Sequence, residues 1–134
     1  MRIGADYYPE HWEKERWKTD AEMMVKANIK VIRIGEFAWS LYEPEEGKYE
    51  FDWMDEALDF FGKYGIKVVM CTPSATPPKW MIDKYPDILQ NDIHGNPKLF
   101  GTRKHYCFNS ETYREKTKKI KYPYCKEICK TSCN

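Results

Sequence analysis

A carboxylate, two aromatic rings and a hydroxyl (Glu36, Phe37, Trp39 and Ser40) stand directly after the apolar run from Ile29 to Gly35. That run, rich in Ile and Val and closed by a glycine, predicts a buried strand of a parallel sheet. Polar and aromatic residues just past the end of such a strand sit where α/β proteins hold their ligands. Arg103, at the head of Arg103-Lys104-His105-Tyr106-Cys107, is a second candidate. A guanidinium offers fixed donors to hydroxyls and can keep a carboxylate ionised; the plainer alternative is an arginine paired with a surface acid. Cys125, Cys129 and Cys133 follow one another at i, i+4 and i+8. On a helix they share one face, and Cys107 would bring the thiols to the four of a tetrahedral metal site, although the spacing is looser than the usual close cysteine pairs.

These residues need a scaffold, and three β-α units supply one. Ile3 to Tyr8 predicts a strand ended by Pro9. Glu13 to Ala27 predicts an amphipathic helix with Trp17, Ala21, Met24 and Val25 on its apolar face, closed at Asn28. The strand ending before Glu36 comes next, then a loop from Leu41 to Phe51. A helix over Trp53 to Tyr64 follows, with Asp52 and Gly65 as caps. Ile66 to Cys71 predicts a third strand, and Ile66-Lys67-Val68-Val69 repeats Ile29-Lys30-Val31-Ile32 at a spacing of 37 residues. Helices of this length between strands suit parallel crossovers, in either an open doubly wound sheet or a closed (β/α)8 barrel. No Gly-rich phosphate loop follows the first strand, which counts against nucleotide binding.

Pro78 can open a short helix to Tyr85. A long polar loop from Pro86 to Gly101 lies beside the candidate strand ends, a place for function. Ser110 predicts the N-cap of a third helix through Tyr113, Arg114 and Lys118. After Ile120 no sustained apolar face continues. The expected division is therefore 1–120, then a divergent Cys- and Lys-rich tail at 121–134, as a shifted reading frame or aberrant terminus would leave.

The 134 residues suffice for one domain, and a 16% aromatic content argues for a packed fold. The 22 basic and 21 acidic residues nearly cancel, which argues against general attraction to nucleic acid or an anionic membrane. No stretch approaches the roughly 18 apolar residues of a spanning helix, and the first residues lack a signal-peptide core. A cytoplasmic protein is expected. The five cysteines, an odd number, do not suggest a disulfide framework.

The stretches Gly4 to Trp12, Arg33 to Ser40, Glu43-Pro44-Glu45-Glu46-Gly47, Thr72 to Trp80 and Arg103 to Cys107 closely resemble the N-terminal part of the catalytic barrel of glycoside hydrolase family 42 β-galactosidases, over roughly residues 1 to 120. The resemblance implies an α/β fold: a partial (β/α)8 TIM barrel, with its first three β-α units only. It implies a retaining hydrolase of terminal β-linked galactose, with two carboxyl groups about 5–5.5 Å apart. In the family these are glutamates at the ends of the fourth and seventh strands, the acid/base in an Asn-Glu pair. This sequence has no Asn-Glu dipeptide, so no catalytic residue is assigned in it, and the chain is expected to be inactive alone.

The resemblance makes Arg103 a ligand of the sugar in the subsite where the bond is cut. It makes Cys107 the first of four ligands of a structural zinc, whose other three are missing from their family positions. No cofactor is implied for catalysis. The implied partners are a galactoside and, in the family, a homo-oligomer (a trimer), with no nucleic acid or membrane. Glu36 would touch the sugar or brace Arg103 or a loop. Trp39 and Trp80 would stack on a sugar or pack in the wall. His105 reads as structural and Cys71 as a small buried hydrophobe. The rival reading is a non-enzymatic module binding a partner or nucleic acid through its Lys- and Cys-rich end. There, from 111 to 134, six lysines and one arginine outnumber three glutamates.

Overall fold

The structure is a computed structural model describing residues 3–102 and 104–131, with side chains through residue 126. In chain order the elements are β1 (Ile3–Asp6), α1 (Lys14–Lys26), β2 (Ile29–Ile34), α2 (Trp39–Tyr42), α3 (Asp52–Lys63), β3 (Lys67–Met70), α4 (Lys79–Lys84) and α5 (Glu111–Thr131). Single 3-10 turns lie at Pro9–His11, Pro73–Ala75 and Pro86–Ile88. The chain forms two compact units. The first contains residues 3–36 and 52–72, the second residues 37–51 and 73–131.

In the first unit β1, β2 and β3 form a parallel sheet in that order. Side chains alternate across a strand. Ile32 and Ile34 are therefore buried on one face, while Val31 and Arg33 share the other face with Gly4, Asp6, Lys67 and Val69. Burying each isoleucine contributes about 2 kcal/mol. Trp17 and Ala21 of α1, and Met54, Ala57 and Phe61 of α3, complete this unit's core. Trp17 Nε1 donates to the Pro9 carbonyl at 3.0 Å, and the Tyr7 and Phe61 rings meet edge-on at 5.3 Å. Val25, expected on the apolar face of α1, is exposed because that helix buries a narrower stripe. Asn28 takes φ 58°, the left-handed turn that ends α1.

In the second unit α2 takes up Leu41 and Tyr42, which the sequence reading placed in a loop. The backbone N–H groups of Tyr42 and Glu43 bond back to Ala38 and Trp39. Ser110 caps α5, its Oγ accepting from the Tyr113 N–H at 3.2 Å. The expectation that helical pattern stops at Ile120 is wrong: α5 continues to Thr131 with Pro123 inside it. Its apolar face is sparse but present, with Tyr113, Ile120 and Tyr124 buried. Tyr124 meets Tyr42 edge-on at 5.2 Å. This packing supports a helix that the proline alone would break. No helix among the described residues is long and apolar enough to cross a membrane.

Candidate functional site

The sheet positions one cluster in the first unit. Asp6 ends β1, and Arg33 is its direct partner in the parallel register. Arg33 Nε donates to Asp6 Oδ1 at 2.7 Å, and its Nη2 donates to Glu36 Oε2. Gly4 permits the strands to come together below this cluster: a Cβ there would sit 3.0 Å from the Val31 carbonyl oxygen. A depression of about 300 Å³ lies on this face, lined by Gly4, Ala5, Asp6, Val31 and Arg33. The bond to Asp6 is the largest influence pushing the Arg33 guanidinium above its usual value, so the group stays charged. Burial pushes the Cys71 thiol up, with Arg33 opposing it, so Cys71 stays a neutral thiol rather than a nucleophile.

Glu36, the carboxylate singled out by sequence, is thus half-buried and tied to Arg33. Arg103, the partner considered for it, lies outside the described residues, as does Cys133. Arg33 and Asp6 were not singled out. They are 27 residues apart, and only the strand register brings them together.

A different carboxylate organises the aromatic candidates of the second unit. Glu43 is only 5% exposed. Its Oε2 accepts from Trp39 Nε1 at 2.8 Å, and its Oε1 from the Gly47 N–H at 2.9 Å. Its main-chain carbonyl accepts from Trp80 Nε1 at 2.8 Å. Trp39 is fully buried and Trp80 half-buried, so Trp39 packs in the interior and offers no open stacking face. Phe37 and Ser40 are exposed. Next to this hub, Glu46 is bonded by Lys84, Lys116 and the Tyr85 hydroxyl. These donors, Lys116 foremost, lower its carboxyl to about 2.

The loop before α5 is ordered by its own backbone pairings. The Cys107 N–H donates to the Ile88 carbonyl at 2.7 Å, and the Gln90 N–H to the His105 carbonyl at 2.7 Å. Cys107 is half-buried and Cys125 is exposed on α5; the Cys129 side chain is not among those described. No three His, Cys, Asp or Glu side chains gather into a possible metal site among the described residues.

The family model described as beta-galactosidase, glycoside hydrolase family 42, matches residues 6–126. The chain belongs to this family. The beta-galactosidase of Thermus thermophilus is 54% identical to it over 118 residues, and the beta-galactosidase BgaH of Haloferax lucentense is 51% identical over 120. These matches take in 88% and 90% of this chain and 18% of each relative. The solved structure of the polyextremophilic beta-galactosidase from the Antarctic haloarchaeon Halorubrum lacusprofundi superposes with a TM-score of 0.84 at 48% identity, over 90% of this chain and 18% of that one. The chain thus spans about one fifth of the length of the family 42 proteins it matches. Its three parallel β-α units are the opening part of an α/β barrel, as the sequence reading expected. The family match reaches six residues past Ile120, into the segment where α5 continues.

Proposed function

We propose that this chain forms part of the galactose-binding wall of a retaining β-galactosidase barrel and supplies neither catalytic carboxylate. One observation carries the reading: about 120 residues align at close to half identity with beta-galactosidases of which the chain spans 18%. Glycoside cleavage needs two carboxyl groups about 5–5.5 Å apart in a retaining enzyme. Asp6 and Glu36, the carboxylates nearest the sheet's C-terminal end, are both engaged by Arg33. That shared engagement assigns them a bracing role rather than the acid/base role. Arg103 is assigned to sugar hydroxyls, and the Asp6–Arg33–Glu36 cluster to bracing the ends of β1 and β2 within the first unit.

A chromogenic β-galactoside offered to the purified 134-residue chain should be turned over no faster than in buffer. Replacing the matched segment of the Thermus thermophilus relative by residues 6–126 should give an active enzyme. Turnover by the chain alone, or a folded but inactive chimera, would overturn the reading.

A further inference from the structure

Glu10 is a carboxylate buried without a donor. Both of its carboxyl oxygens are shielded from solvent, and neither makes a hydrogen bond among the described residues. The residue is the middle member of the 3-10 turn Pro9–His11, which follows β1. The main chain of that turn is well tied. The His11 N–H donates to the Tyr8 carbonyl at 3.0 Å, and the Trp12 N–H to the Pro9 carbonyl at 3.2 Å. The Pro9 carbonyl also accepts from Trp17 Nε1 of α1 at 3.0 Å. The rings of Tyr8 and His11 stack at 5.3 Å.

The neighbouring titratable groups are engaged elsewhere. Tyr7, which feels the Glu10 charge, donates its hydroxyl to Asp20 of α1 at 2.9 Å. Arg16 donates to that same Asp20. Lys14, the first residue of α1, pairs with Glu56 of α3. His11 acts on Glu10 through its charge alone.

Ionising such a carboxyl is costly, because water has been removed and no protein donor replaces it. Burial accordingly raises the Glu10 carboxyl above its usual value, opposed by its own main-chain N–H and by His11. An acid raised in the folded state holds its proton more tightly there than in the unfolded chain. Its contribution to stability is therefore complete below the unfolded value and falls as pH rises through the folded one. Glu46, a carboxylate with donors, has the opposite sign.

We propose that Glu10 is a pH-sensitive latch: as the neutral acid it leaves the Pro9–His11 turn closed, and as the carboxylate it loosens that turn and its tie to Trp17 of α1. The inference stands apart from the galactose reading, since it concerns a side chain that touches no ligand.

The test is hydrogen exchange of the 134-residue chain, followed by NMR from about pH 4 to about pH 7. The probes are the His11 and Trp12 amides and the Trp17 indole N–H, each read as a protection factor so that the intrinsic pH dependence of exchange cancels. Wild type is compared with Glu10→Gln and with His11→Phe, which keeps a ring against Tyr8 but does not titrate. Circular dichroism checks folding. Protection in wild type should fall severalfold as pH rises, and His11→Phe should fall alike. Glu10→Gln should stay flat across the range. Constant protection in wild type, or a fall in Glu10→Gln as large as in wild type, overturns the latch. A fall that disappears in His11→Phe assigns the effect to the imidazole and overturns it as well. Glu10→Met, uncharged and of similar length, gives the same reading if the glutamine variant does not fold.

Discussion

Arg33 and Asp6 are register partners at the ends of β2 and β1, joined by a 2.7 Å hydrogen bond from Nε to Oδ1. The same guanidinium reaches Glu36 through Nη2. Two carboxylates are thus served by one planar group, which a lysine's single ammonium cannot imitate. Arg33→Lys should lower the thermal midpoint by a few degrees at most, since the pair is partly open to solvent. Asp6→Asn in the Arg33→Lys background should cost less than Asp6→Asn alone. Equal costs in a double-mutant cycle would show that the pair is not coupled.

Glu43 presents the opposite situation, a buried carboxylate whose donors have nowhere else to go. Glu43→Ala leaves the Trp39 indole N–H and the Gly47 N–H unpaired. The expected loss is about 2–4 kcal/mol of unfolding free energy, from two stranded donors. Glu43→Gln keeps one acceptor oxygen and should lose about half as much. Chemical denaturation measures both. An alanine variant within experimental scatter of wild type would remove Glu43 as the organiser of this loop.

How far the sequence could be read follows the range of each interaction. The caps were legible because their partners are close in the chain: Asn28 at the end of α1, Ser110 three residues before Tyr113. The strands were legible from their apolar residues, but their register was not. The internal repeat sets Ile29 against Ile66, 37 residues apart, whereas the sheet pairs Val31 with Lys67. A one-residue offset puts equivalent repeat positions on opposite faces. That same register makes Asp6 the partner of Arg33, which no local pattern announces. The continuation of α5 was hidden by Pro123 and by the long spacing of Tyr113, Ile120 and Tyr124. The partners of Tyr124, Tyr42 and Phe51, lie far back in the chain.

Glu46 gives the second unit a pH dependence with a definite sign. Bonds from Lys116, Lys84 and Tyr85 lower its carboxyl from 4.5 to about 2. A depressed folded-state value contributes stability that is complete above the unfolded value and disappears as pH falls through the folded one. Wild type should therefore be more stable than Glu46→Gln by a constant margin above about pH 5. That margin should shrink as pH falls from 4.5 toward about 2. Urea midpoints of the two proteins across this range provide the measurement. A margin that does not change with pH would mean that Glu46 titrates normally.

Metal content offers a separate check on the cysteines. Cys107 is half-buried, Cys125 is exposed, and the described side chains bring no third donor to either. The chain purified in the presence of zinc should hold well under one equivalent after dialysis. Its unfolding midpoint should not move on addition of a chelator, because a structural zinc contributes directly to folding. One tightly held equivalent, with a midpoint that falls on chelation, would assign the cysteines to a site after all.

The sheet itself sets the last expectation. Among the described residues β3 pairs only with β2, whereas every strand of a closed barrel has two neighbours. Its outer edge presents backbone donors and acceptors beside Val69, which is 50% exposed. Edges of this kind pair with other chains unless a charge or a bulge blocks them. The purified chain should therefore associate with rising concentration, measured as light scattering. Val69→Lys should reduce that scattering severalfold with little change in thermal midpoint, because the side chain at this position is not part of the buried core. If the variant is folded and scatters as much as wild type, association runs through another surface. The exposed apolar residues Ile93 and Leu99 of the second unit would then be the next to substitute.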